Sequence, residues 1–217
     1  MRVLLTVSLV LSFAALSVGC KPEPPPEPKE KPPPPPTAEE LYSQIKQKLG
    51  PFYQAYQQKS HIAGNAGQTI EDFRTGKGQF TAAENGREAL SRAQRDIEQW
   101  IKWARDEERY RWVKTAIQLY KVFQPGTQRY KSLERRADLM LARPKVTVKG
   151  FFELDGDLYA FLECTDPDTN EVTQYKVREG EEFHEVLRLI RIIGDNQAVE
   201  LLYIPANDTW VVKGIAA

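Results

Sequence analysis

Apolar residues follow three different rhythms along the chain, and each predicts a different kind of structure. Between residues 37 and 142 they recur every three or four positions, the helical period. Leu41, Ile45, Leu49, Phe52 and Tyr56 form one stripe. It opens at Thr37-Ala38-Glu39-Glu40, a capping threonine with glutamate three residues on, and is interrupted by Gly50-Pro51. The spacing predicts a helix that starts at Thr37 and breaks or kinks at the Gly-Pro pair. Residues 63–78 hold Gly64, Gly67, Gly76 and Gly78 and read as a loop. Leu90, Ala93, Ile97, Ile101, Ala104, Val113, Ala116 and Tyr120 then carry the helical period over residues 81–123, with a gap at Glu108. A stretch of that length predicts an antiparallel helical hairpin. After Pro125-Gly126, the stripe Tyr130, Leu133, Ala137 and Met140 predicts a third helix, closed by Pro144.

From Lys145 the period falls to two. Val146 and Val148, Phe151 to Leu154, Leu158 to Cys164, Val172 to Val177, Val186 to Ile193, Ala198 to Ile204 and Trp210 to Ile215 read as strands. Asp155-Gly156-Asp157, Pro167-Asp168-Thr169-Asn170, Gly194-Asp195-Asn196 and Ala206-Asn207-Asp208 are the turns between most of them. The expected fold class is therefore α+β: a helical hairpin or three-helix domain over 37–143, followed by a small antiparallel β-barrel or sandwich over 144–217.

The third rhythm is at the N-terminus. Met1-Arg2 precedes an uncharged apolar run from Val3 to Val18, shorter than the roughly 20 residues a spanning helix needs, so residues 1–19 read as a signal peptide. The sequence Leu16-Ser17-Val18-Gly19-Cys20 resembles the lipobox of bacterial lipoproteins, with Ser17 where leucine is usual. The resemblance implies cleavage before Cys20 and a diacylglyceryl group on its thiol, with palmitate-type acyl chains as the anchor. Residues 21–36 hold 10 of the chain's 15 prolines. Proline fixes φ and removes a donor, so residues 20–36 read as a lipidated cysteine and an extended polyproline II tether of roughly 50 Å. Lys21 is not the aspartate that marks inner-membrane retention, which favours the outer membrane of a bacterial envelope, on its periplasmic side.

The β-region carries a second resemblance. Lys149-Gly150, the strand through Ala160, Tyr175-Lys176-Val177-Arg178-Glu179-Gly180-Glu181, Leu189 to Ile193 and Ala198 to Leu201 resemble the β-domain of the inner-membrane lipoproteins that align type IV pilus machines, and the homology-region domain of type II secretion. Glu181 stands where that pattern has aspartate, and Glu182 to Glu185 fill a normally shorter loop. The resemblance covers about a third of the chain and implies a periplasmic connector, not a catalyst. The expected role is thus a structural adaptor in an envelope assembly, attached to the membrane through its lipid and to an unidentified protein partner.

Charge refines this picture. The 30 basic and 30 acidic residues cancel, which excludes a bulk polycation built for nucleic acid. The cancellation is between regions: residues 37–144 hold 19 basic and 13 acidic side chains, residues 145–217 hold 7 and 14. Opposite fields could hold the two regions together or steer separate partners. Glu181 and Glu182 are candidate contacts on the acidic side. Trp100 and Trp103, with Tyr110 and Trp112 further along, read either as core packing between helices, the commoner use of such rings, or as an alternative function: binding of an envelope ligand or peptidoglycan through an aromatic helix.

Chemistry is sparse. The two histidines, His61 and His184, and the single thiol left after lipidation, Cys164, do not form a catalytic or metal-ligating pattern, and no phosphate loop or nucleophile elbow is present. Asp166-Pro167-Asp168-Thr169-Asn170 starts like a calcium loop but lacks its glycine and terminal glutamate, so it reads as a hairpin turn. No catalytic residue, metal site, cofactor or small-molecule substrate is assigned. Cys164 lies in an alternating run and reads as a core residue.

Overall fold

A computed structural model describes residues 34–62, 64–194 and 197–214; the signal-like segment, Cys20 and the tether as far as Pro33 lie outside the described residues. The helical region begins where the cap was expected. The Thr37 side chain accepts from the Glu40 backbone N–H at 3.2 Å, and Glu40 returns a bond to the Thr37 N–H at 2.8 Å. These reciprocal bonds satisfy two of the donors a helix start leaves open, and α1 runs Ala38–Lys48. The Gly-Pro pair then separates α1 from α2, Gly50–Gln57. Leu41, Ile45, Leu49 and Phe52 are all buried across the break, so the stripe is one apolar surface on two helices.

Residues 66–78, expected to lie in a loop, are helical. Asn65 caps α3, Ala66–Ala82, by accepting from the Gln68 N–H at 3.2 Å. Three glycines inside this helix lower its intrinsic stability by about 1 kcal/mol each. Ile70, Phe73 and Phe80 offset that cost by burying their side chains in the core. Phe73 stacks on Phe123 at 5.1 Å, which ties α3 to α5.

The long periodic stretch is a hairpin, α4 at Gly86–Asp106 and α5 at Tyr110–Phe123. Its turn lies at the gap in the apolar pattern, where Glu108 has a φ of 51°. Gln94 near the start of α4 meets Tyr120 and Gln124 at the end of α5, so the two run antiparallel. Lys77 of α3 donates from Nζ to the Val122 carbonyl at 2.7 Å, placing a cation on the open carbonyls of the α5 C-terminus. A further helix, α6 at Lys131–Leu141, packs on α5. The helical region therefore has six helices among the described residues, not the two or three the pattern suggested.

Seven strands follow, and the fold is mixed α+β with helices preceding strands. One antiparallel sheet has the order β1 (Lys145–Leu154), β2 (Asp157–Thr165), β3 (Val172–Val177). The other has the order β4 (Glu182–Phe183), β5 (Leu187–Ile193), β6 (Ala198–Tyr203), β7 (Asp208–Lys213). The sheets do not close into a barrel. Among the described residues, β1 and the end of β7 meet at one isolated parallel bridge, Val148 to Gly214, and β1 bulges against β2 between Val148 and Gly150. Val148, Leu162 and Cys164 of the first sheet and Leu187, Leu189, Val199 and Leu201 of the second nonetheless belong to one buried cluster.

This core is joined to the helices through α6. Leu139 packs against it, and Asp208 at the start of β7 accepts from Arg136 at 3.3 Å and Arg143 at 3.1 Å. The Arg143 guanidinium also lies 4.5 Å from the centre of the Trp210 ring. From Pro35 onward the helical and β parts form a single compact unit.

Two features make stability predictions. A β-carbon on Gly86 would lie 1.6 Å from the Phe80 carbonyl oxygen, so the backbone of α4 approaches α3 in a way only glycine allows. Gly86→Ala should cost about 3 kcal/mol in urea unfolding. Asp96 accepts from the hydroxyls of Tyr42 at 2.6 Å and Tyr53 at 2.5 Å, pinning α1 and α2 to α4. Burial, and then the bond to Asp96, raises both hydroxyls above the usual tyrosine range, Tyr53 by far the more, so both donate. Asp96→Ala should cost about 3 kcal/mol by leaving two donors without their charged acceptor, with Asp96→Asn recovering at least half.

Candidate functional site

Helix α4 decides what its region can present to other molecules. Its inner face buries Ala89, Ala93, Ile97, Trp100, Ile101 and Ala104. Trp100 is only 1% exposed, stacked on Phe52 at 6.1 Å and met edge-on by Tyr53 at 4.7 Å. It is a core residue and cannot serve as the contact surface expected of it. Trp103 is half-buried, edge-on to Tyr56 at 5.4 Å and to Trp112 at 5.5 Å. Lys59 Nζ and the Arg109 guanidinium lie 4.4 and 4.9 Å from its ring. The indole N–H of Trp112 donates to the Ser60 carbonyl at 3.0 Å. These rings pack at the end of the helical core.

The acidic candidates are also engaged. Glu181 accepts from the Arg178 backbone N–H at 3.1 Å and from its Nε at 2.8 Å. The backbone bond, and then the guanidinium, hold the Glu181 carboxyl below the usual carboxylate range. Glu182 pairs with Arg188. Both pairs are half-exposed, so they set local turn geometry and contribute little to stability. His184, with a φ of 48°, shares a 3.0 Å hydrogen bond between Nδ1 and the Tyr175 hydroxyl. Asp166 Oδ1 accepts from the backbone N–H groups of Asp168 and Thr169, both at 2.9 Å, as a hairpin turn requires. Among the described residues there is no group of three or more metal-ligating side chains.

The outer face of α4 borders an open concavity. Arg95, Glu98, Lys102 and Arg105 follow one another at helical spacing and line one wall of an open cleft of about 790 Å³. The opposite wall comes from α6 and the loop before it, with Arg129, Ser132 and Arg136. Ile101, Tyr130 and Leu133 form an apolar floor. Across α6 a second hollow of about 600 Å³ shares Ser132 and Arg136 with the first and adds Lys131 and Arg135. Seven cations and one carboxylate, Glu98, line the two hollows together.

That carboxylate is already used. Glu98 accepts from Arg129 at 2.6 Å and from the Tyr120 hydroxyl at 3.1 Å. Arg105 is paired with its neighbour Asp106 at 2.7 Å, and Arg136 reaches Asp208. Arg95, Lys102, Lys131 and Arg135 are exposed and form no ion pair among the described residues. The cleft can therefore attract anions, and its fixed arginine forks can bind carboxylate or phosphate oxygens in pairs. Arg95, Lys102 and Arg105 lie off the apolar stripe of α4. Their meeting with Arg129 and Arg136 depends on how α4 and α6 pack, which no local spacing reveals.

Comparison with protein-family models, curated proteins and solved structures finds no match. The site must be read from its own residues. Cys164 does not compete for that role, because it is buried in the β core and burial pushes its thiol up to about 12. A folded-state value above the unfolded value of roughly 8.5 means that the thiol's contribution to stability is intact below that pH and is lost as pH rises toward 12. Alkylation of Cys164 at pH 8 should thus be slow in the native chain, become fast in urea, and track the unfolding transition; fast native labelling would contradict a buried thiol.

Proposed function

We propose that the chain is a lipid-anchored protein of the bacterial envelope that works as a structural adaptor, docking a partner in the cationic cleft between α4 and α6. The observation that carries the docking part is the one-sided lining of that cleft, with Arg95 and Lys102 left without ion-pair partners among the described residues. Unpaired like charges repel one another and destabilise the free fold, so a concave surface that collects them is best explained by an anionic partner.

The anchor part rests on sequence. Cys20 after an apolar run, followed by the proline-rich tether, supports a membrane attachment with a stand-off of roughly 50 Å. The resemblance of the β-region to pilus-alignment and secretion domains suggests the kind of assembly served. Lys21 and that resemblance point to opposite membranes, and fractionation decides between them.

Two measurements test this function. Cys20→Ser should abolish acyl labelling and move the protein from the membrane fraction to the soluble fraction. A photo-crosslinking side chain at Gln99, inside the cleft, should capture a discrete envelope component that the same group at Arg87 does not. Membrane retention without Cys20 would remove the anchor, and equal adducts from both positions would remove the cleft as the docking place.

A further inference from the structure

We infer that the occupant of the α4–α6 cleft is an extended acidic polypeptide segment that carries an apolar side chain between its carboxylates. This deepens the adaptor reading and rests on it for the cleft being a docking place. The argument has three parts: the length of the charged wall, the composition of the floor, and the state of the cations.

Arg95 and Arg105 are ten residues apart on one helix, about 15 Å at the rise of an α-helix. That distance matches four to five residues of extended chain at about 3.3 Å each. A compact anion such as a single phosphate would use only one end of such a wall. A linear ligand with charges spaced along it engages Arg95 and Lys102 on α4, and Arg129 and Arg136 opposite, at the same time.

The floor distinguishes among linear anions. Tyr130 and Leu133 are half-buried, with Ile101 beneath them, so apolar surface is open to the cleft between its charged walls. The Tyr130 ring is held edge-on to Tyr120 at 5.0 Å, which fixes it in place. A polyphosphate or a headgroup layer has nothing to cover this floor. A peptide does, because its side chains alternate, and one leucine or tyrosine between two glutamates puts apolar and charged groups on opposite sides.

The cations are also in the right state. Arg129 is held by Glu98, which aims its guanidinium and leaves donors facing the cleft, whereas Arg95 and Lys102 have no competing acid. The cleft is concave, unlike the flat surface that suits a bilayer.

The test uses the full lipidated chain in a neutral detergent, with poly-glutamate, a glutamate–tyrosine copolymer of equal charge and length-matched inorganic polyphosphate as probes. The copolymer should bind about tenfold more tightly than poly-glutamate, from one ring placed on the floor. Arg95→Glu with Lys102→Glu should weaken copolymer binding at least about tenfold, while the charge-matched control Arg87→Glu with Lys145→Glu should change it less than about threefold. Leu133→Ser should remove the preference for the copolymer but leave poly-glutamate binding in place. Equal losses from both double variants would mean diffuse attraction, and tightest binding of polyphosphate, anionic vesicles or peptidoglycan would assign the cleft to those ligands; either result overturns the proposal. So would salt-sensitive dimerisation that disappears with Glu153→Lys, since the exposed Phe152, Glu153 and Leu154 of the β1–β2 ribbon would make a second copy the occupant. None of these outcomes depends on Cys20, so failure of the anchor and failure of the ligand assignment are read separately.

Discussion

Burial of one face of α4 is the constraint on which the other helices depend. Trp100 sits at its centre, with Phe52 and Tyr53 of α2 against one side and Trp112 of α5 edge-on at 6.2 Å. Small residues flank it on the same face: Ala89, Ala93 and Ala104 are fully buried and let neighbouring helices approach closely. Rotating α4 would expose the indole and bring Arg95 or Lys102 into the core, where an unpaired charge costs several kcal/mol. The outer face is therefore as strictly fixed as the inner one. The cleft's wall of cations is the geometric complement of the tryptophan core, set by the same 3.6-residue period.

Where local chemistry determines local structure, the sequence could be read directly. The Thr37 capping box, the Gly50-Pro51 break and the turn at Glu108 each depend on residues within a few positions of one another. Most strand runs were legible for the same reason, since alternation is visible within a single element, although Val146 to Leu154 is one bulged strand rather than two and β4 falls where a loop was expected; Asp155-Gly156, with φ values of 55° and 86°, suits the tight turn between β1 and β2. Helix α3 was hidden because its glycines are a local signal and its stabilisation is not. Ile70, Phe73 and Phe80 gain their energy from α4 and α5. Trp100 took the commoner of the two uses open to such a ring, packing in the core, and only its neighbours decide between that and a contact surface. The cleft could not be read at all, because it is formed by two helices that are adjacent only after α5 has packed against both.

The opposite charges of the two regions have a visible structural use at one point. Asp208 receives Arg136 from α6 and Arg143 from the segment leading into β1, and Trp210 stacks under the second guanidinium. Arg143 and Asp208 are each about one-quarter exposed, so the pair is partly shielded and worth more than an open surface bridge. Arg136 has a double role, since it also lines the cleft. Through it, the β-region's acid takes up one of the cleft's cations, so the orientation of α6 and the field in the cleft are linked to the docking of β7.

The remaining cations bear on why the cleft has this composition. A fold selected for stability alone would intersperse acids among Arg95, Lys102, Lys131 and Arg135, as it does for Arg92, which is held by Glu88 and Glu39, each at 2.7 Å. Arg92 is on the same helix, less than one turn before Arg95, so the difference is not one of secondary structure. It follows the side of α4 on which each residue falls. On the side facing α1 the arginine is neutralised by the protein's own carboxylates, and on the side facing α6 Glu98, Asp106 and Asp208 are taken up by Arg129, Arg105 and Arg136, which leaves Arg95 and Lys102 without an ion pair among the described residues. That one-sided charge is what supports the proposed anionic partner, and the apolar residues between the charged walls are what narrow the proposal to a particular kind of anion.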